Sequence, residues 1–99
     1  MRKVIVSDLV RKKLEELEYF LIDELKLSEE FALKRSRRMR VLINSLCNPA
    51  DYPLCRFKKW KVLGYRCVVF ERDWVFAYEV FKNGVIVRDM AHTSTLFEL

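Results

Sequence analysis

Glycine and proline are scarce, with two of each in 99 residues. That scarcity excludes collagen-like and low-complexity chains and leaves most of the length for regular structure. There is a single histidine, and the three cysteines, Cys47, Cys55 and Cys67, have no metal-ligand spacing. No metal site is therefore expected. Neither a nucleotide-binding loop nor a Ser/Cys–His pairing is present, so no cofactor is implied. No apolar run approaches the roughly 20 residues of a membrane span. The start, MRKVIVSDLVRKK, is too charged beyond its first strand for a signal peptide. An odd cysteine count without a framework predicts reduced thiols and a cytoplasmic chain. Cys47 and Cys55 could meet across a loop, but small buried apolar residues are the simpler reading.

What is abundant is apolar and basic. A hydrophobic fraction of 52% with 13% aromatics excludes disorder, and the length fits one domain, 1–99. The net charge of +5 is unevenly spread. Residues 1–30 hold six Lys/Arg against eight Asp/Glu, and residues 73–99 hold two against four. Residues 31–72 hold eleven against two, so one middle segment carries the whole excess. Such a footprint suits an anionic partner, nucleic acid or an acidic protein segment.

In order, KVIV at 3–6 reads as a strand. Ser7-Asp8 supplies a helix start, and Val10, Leu14, Leu17, Leu21 and Leu25 form one apolar stripe. Ser28 restarts a second helix, with Glu29 and Glu30 in its favourable first turn, running to about Leu46. Arg35 falls on the apolar stripe of that helix and must snorkel or pair, with a carboxylate of the first helix as candidate. Lys34, Arg37 and Arg38 project to the opposite side. CNPADYPLC at 47–55 is a loop, and RFKKWKVL at 56–63 leads into a strand near 57–71, with Gly64 as a bulge or bend.

Asn83-Gly84 between two apolar runs predicts a type I′ hairpin. Its register sets Glu79 opposite Arg88 and Ala77 opposite Met90. One face then holds Trp74, Phe76, Tyr78, Val80, Val85 and Val87. The other face is mixed and is expected to stay partly open. A two-residue turn at Arg72-Asp73 would set Arg66 opposite Glu79. Both turns together predict an Arg66–Glu79–Arg88 row beside His92. Such a row is either a surface salt ladder or an anion site, since a guanidinium fork matches phosphate.

The order strand, helix, helix, three antiparallel strands is an α+β arrangement with the helices on one face of the sheet. With KVIVSDLVRKKLEELEYFLIDEL, SEEFALKRSRRMRVLINSL and LGYRCVVFERDWVFAYEVFKNGVIVRDMAH, the chain resembles RelE/ParE superfamily toxins of type II toxin–antitoxin modules, the plasmid-stabilisation type. The resemblance covers nearly the whole chain. It implies a growth inhibitor silenced by a cognate antitoxin that wraps an extended or helical segment around it. RelE-like members cleave mRNA on the ribosome as metal-independent endoribonucleases, and ParE-like members poison DNA gyrase. Arg66 fits the Arg of the family's Tyr-Arg strand, and His92 fits the His closing the last strand. Lys58, Lys59 and Lys61 fit its basic approach to the sheet. Thr93 and Phe97 stand where RelE-like chains have Arg and Tyr, which favours the ParE-like reading, because Phe cannot exchange a proton.

RNA cleavage by a 2′-OH needs a base, an acid and charge stabilisation at phosphate. His92 is the only side chain with an ordinary pKa near neutrality, so His92, Arg66 and Arg88 are the candidate catalytic set. Two flanking arginines would depress Glu79 and make it a poor base. Lys58, Lys59, Lys61, Arg56, Arg37 and Arg38 are the candidate nucleic-acid or target-binding residues, with Trp60 and Tyr65 as stacking partners. The alternatives are a solvated basic face, or a basic binding or adaptor module without toxicity.

Overall fold

The computed structural model describes residues 1–96. Its elements are β1 (Lys3–Val6), α1 (Asp8–Asp23), α2 (Glu29–Asn44), a 3-10 turn (Ser45–Cys47), α3 (Lys58–Lys61), β2 (Arg66–Phe70), β3 (Trp74–Phe81), β4 (Gly84–His92) and a closing 3-10 turn (Thr93–Thr95). The architecture is α+β, as the pattern predicts. The sheet order is β1-β4-β3-β2, with an antiparallel meander of β2, β3 and β4 and with β1 parallel to β4. Among the described residues no helix is long and apolar enough to cross a membrane.

The helix starts follow the sequence. The Ser7 hydroxyl accepts from the Val10 N–H, and the Ser28 hydroxyl from the Phe31 N–H, each satisfying a donor the first turn would leave unpaired. The stripes of α1 and α2 then cover one face of the sheet. Val10, Met39, Ile43 and Leu46 pack there against Val68, Phe70, Phe76, Tyr78, Val85, Val87 and Met90. Leu25 lies beyond α1 and is exposed. Arg35 meets the Phe70 ring at 5.7 Å, with its Nε enclosed and unpartnered among the described residues, rather than pairing with a carboxylate of α1. Arg2 and Tyr78 both reach Asp51, and the Tyr52 N–H donates to the Tyr78 hydroxyl, so the 47–55 loop is tied to the sheet.

Both hairpin registers differ from the expected ones. The β3–β4 turn consists of Lys82-Asn83, with Phe81 opposite Gly84, and neither Asn83 nor Gly84 has positive φ. Gly84 is required for another reason. A Cβ there would overlap the Lys3 carbonyl, because β1 runs directly alongside. The left-handed turn sits instead at Glu71-Arg72, with φ 46 and 70, closed by the Asp73 N–H to the Phe70 carbonyl. Phe70 therefore pairs with Trp74, one residue off the expected register. Because side chains alternate, a one-residue slip moves a whole strand's set to the other face. In β4 a bulge between Tyr78–Val87 and Ala77–Asp89 returns Met90 to the helix face.

The second face is not open. The stretch expected to be strand from 57 instead forms a helical turn, α3, that lies over it. Lys and Trp supply no β-branched run, and Gly64 at φ 75 closes the turn. The Gly64 N–H bonds to the Lys61 carbonyl and the Tyr65 N–H to the Trp60 carbonyl, the double bond of a Schellman closure. Cys55, Trp60, Val75 and Ala77 are buried beneath, flanked by Phe57, Tyr65, Cys67, Ala91 and Leu96. The expectation of three reduced thiols is corrected here, since Cys55 and Cys67 form a disulfide. The Cys55 N–H to Tyr65 carbonyl bond lays the loop along β2 and brings the two Cα atoms to 4.9 Å. Cys47 is free, and its partner is not Cys55.

Candidate nucleic-acid or target interface

The predicted Arg66–Glu79–Arg88 row is not formed. The β2 slip places Arg66 opposite Tyr78, on the helix face, where Nη1 donates to the Tyr52 carbonyl at 2.7 Å. Arg88 is the residue bulged between the paired positions Val87 and Asp89. It still holds Glu79 with Nε and Nη2, at 3.0 and 2.7 Å, although Glu79 faces Ile86. His92 lies opposite Trp74, its ring edge-on to the indole at 5.3 Å. Arg66 and His92 thus flank β3 at Tyr78 and Trp74, four residues apart, which is about 13 Å along a strand. The three candidate catalytic side chains do not converge on one phosphate.

His92 is fixed by the turn that follows it. Nδ1 accepts the Ser94 N–H at 3.1 Å and lies 2.8 Å from the Ser94 hydroxyl. That assigns the proton of the neutral ring to Nε2. Nε2 of the neutral ring is then a hydrogen-bond donor. Thr93 begins the closing 3-10 turn. Phe97, which bears on the nuclease reading, lies outside the described residues.

The six candidate binding residues fall into two groups separated by the sheet. Arg37 and Arg38 are exposed on α2, and Arg38 Nε is 2.7 Å from Glu71 Oε1. This bond holds the Glu71 carboxyl below the usual carboxylate range, against a smaller opposing effect of burial. Arg56, Lys58, Lys59 and Lys61 belong to the α3 layer on the far face, all exposed. Lys59 Nζ lies 4.8 Å over the Trp60 ring and Arg56 6.0 Å from Phe57. Trp60 cannot stack on a base, because only 2% of it is exposed and the α3 layer is built around it. Tyr65 is likewise half-buried in that layer. What α3 presents with its lysines is aliphatic: Val62, 73% exposed, and Leu63. Beside them a cleft of about 430 Å³ is lined by Phe57, Lys58, Lys59, Val62, Thr95 and Leu96.

One residue that no sequence motif marks joins the layers. Asp89 Oδ2 accepts the Trp60 indole N–H at 3.2 Å, and Oδ1 pairs with Lys13 Nζ of α1 at 2.7 Å. Burial alone would raise the Asp89 pKa. The hydrogen bonds from Lys13, the Met90 N–H and Trp60 together outweigh it and lower the carboxyl below its ordinary value. A lone carboxylate inside the apolar run VIVRDMAH is the signal that could have flagged it. Asp51 is similar. The Arg2 hydrogen bond, assisted by Tyr78, lowers its pKa although burial opposes the shift.

A scan of the sequence against protein-family models finds no match, and a comparison with curated proteins finds none either.

Proposed function

We infer that this chain is the toxin of a type II toxin–antitoxin module, RelE/ParE-like, acting in the cytoplasm, and that it arrests growth by binding DNA gyrase. The observation that carries the reading is the order of a strand, two long helices, the short α3 and three antiparallel strands, with a helical hairpin on one face and a compact basic layer on the other. Gyrase is favoured over ribosome-dependent mRNA cleavage by the dispersal of Arg66, Arg88 and His92. The lysines and aliphatic side chains of α3 suit a protein or phosphate surface better than unstacked bases.

Support for an antitoxin comes from β1. The Lys3 and Ser7 N–H groups bond to the Asn83 and Val87 carbonyls, so by strand alternation the Val4 and Val6 backbone groups point to the open edge. The other edge, β2, is covered by the 53–55 loop at its start, residues 65–67. An extended antitoxin segment added along β1 would satisfy those groups.

The test is induced expression with and without the protein encoded beside it, followed by gyrase supercoiling and ribosome-dependent mRNA cleavage in vitro. Growth arrest with supercoiling inhibited and mRNA intact is expected. Arrest with mRNA cleaved, and abolished by His92→Ala, selects the nuclease reading. Soluble protein without arrest favours a non-toxic basic adaptor module.

A further inference from the structure

We propose that Cys55–Cys67 is a reversible disulfide switch that holds the basic layer on the sheet and lets it open when reduced. The proposal concerns the regulation of the surface discussed above and rests on that reading for its biological role. Its structural content stands without it.

The disulfide closes residues 56–66, RFKKWKVLGYR, into a loop. That loop holds no acidic residue, and its Arg56, Lys58, Lys59 and Lys61 make the basic surface of the far face, so one covalent bond encloses that surface. Of the four buried residues under the layer, Val75 and Ala77 belong to the sheet, which leaves Cys55 and Trp60 as its own buried contribution. Two main-chain bonds, Cys55 N–H to Tyr65 and Cys67 N–H to Pro53, flank the disulfide directly and would loosen with it. Trp60 to Asp89 and Arg66 to the Tyr52 carbonyl are further polar ties. The core under α1 and α2 takes none of its buried residues from 48–65, so the layer can open without dismantling it. In a reducing compartment a persistent structural disulfide is not expected, whereas a pair that exchanges with the thiol pool is.

Access is asymmetric. Cys67 is half-buried on edge strand β2, and Cys55 is buried. A thiolate of an external dithiol attacks the Cys67 sulfur, and Cys55 leaves as thiolate and takes up a proton. The second thiol of the reductant then attacks the mixed disulfide and releases Cys67, which is protonated in turn. The Cys55–Cys67 bond gains two electrons and two protons, and the dithiol becomes a disulfide. Cys47, against the Met1 sulfur at 3.6 Å, takes no part and serves as an internal control.

The test is hydrogen exchange by mass spectrometry on the full chain, with and without dithiothreitol, with thiol alkylation to score each cysteine. Reduction should speed exchange across 56–66 by about tenfold or more and leave α1, α2 and β3 within about twofold. The Cys55→Ser/Cys67→Ser variant should show the fast pattern under both conditions, and Cys47→Ser should still respond. Binding of a short DNA duplex or a short RNA should weaken when the layer opens. Unchanged exchange in 56–66 overturns the proposal. So does unfolding of the whole chain on reduction, or finding Cys55 and Cys67 both freely alkylated in air-exposed protein. If the exchange response is present but neither nucleic acid binds in either state, the switch stands and nucleic acid is removed as the layer's partner.

Discussion

On one face of the sheet two helices of 16 residues each lay apolar stripes over Phe76, Tyr78, Val85 and Val87. On the other, a single turn of helix and a disulfide cover Val75 and Ala77 around one tryptophan. The first face holds together through apolar area, which is non-directional and spread over many side chains. The second depends on a few specific bonds: Cys55–Cys67, Trp60 to Asp89, and the closure at Gly64. A face of the first kind tolerates the loss of one polar contact. A face of the second kind can open as a unit, and it carries Lys58, Lys59 and Lys61.

The largest predicted effect breaks the first face. Phe76→Ala should cost about 3–5 kcal/mol in urea unfolding, the usual range for a fully buried aromatic. Trp60 is as large and nearly as buried, yet Trp60→Ala should lower global stability by less than half as much. The far layer can detach locally and so limits what the substitution costs. Hydrogen exchange in 56–66 should rise sharply in that variant. Equal urea shifts for the two variants would show that both faces form one cooperative unit.

Gly84→Ala tests the sheet between the faces. The new Cβ would overlap the Lys3 carbonyl, so β1 must move outward. A cost of about 1–3 kcal/mol is expected, with exchange rising in 3–6. Asn83→Ala should matter little, because Asn83 does not have the positive φ of a type I′ turn. If Asn83→Ala proves the more damaging of the two, the hairpin register is wrong.

Acid should separate the faces. Hydrogen bonds hold Asp89 and Asp51 below their ordinary pKa values in the folded chain. A depressed folded pKa stabilises the fold above the unfolded value, about 3.9 for Asp, and that contribution is lost as pH falls through the folded pKa. Thermal stability should therefore hold down to about pH 4 and decline below it. Protonation of Asp89 weakens its bond to Lys13 and so its tie between α1 and α3. Exchange in 56–66 should rise before that in α2. Asp89→Asn should show a flatter acid decline, and an unchanged decline in that variant would remove Asp89 from this role.

How much of this was legible in the sequence differs between the faces for a physical reason. The helices were readable because a period of 3.6 and the caps Ser7 and Ser28 are local signals. The sheet face they cover followed from alternation in Phe76, Tyr78, Val85 and Val87. The Arg66 row failed because it needed two turn registers to be right at once. Asn83-Gly84 carried the strongest turn signal, but Gly84 answers to β1, a long-range neighbour that local pattern does not reveal. The left-handed residues were Glu71 and Arg72, neither of a type that announces it. Cys55–Cys67 was missed because spacing does not report which strand a loop will lie against.

The smallest predicted effect concerns what remains of that row. Arg88 and Glu79 are both partly exposed and share two short hydrogen bonds. A pair of this kind is worth about 0.2–1 kcal/mol and is screened by salt. Arg88→Ala should therefore move the urea midpoint barely, and less at high ionic strength. Its value lies in being nearly silent for folding. If Arg88→Ala keeps its stability but loses growth arrest, the guanidinium contacts the target and the β4 bulge that turns it outward is part of the binding surface. If arrest is kept there and lost instead when Lys58, Lys59 and Lys61 are replaced together, the α3 layer is the contact and the Arg88–Glu79 pair is a salt ladder. Retained arrest in both variants would remove the far face from the mechanism and move the search to the helical hairpin.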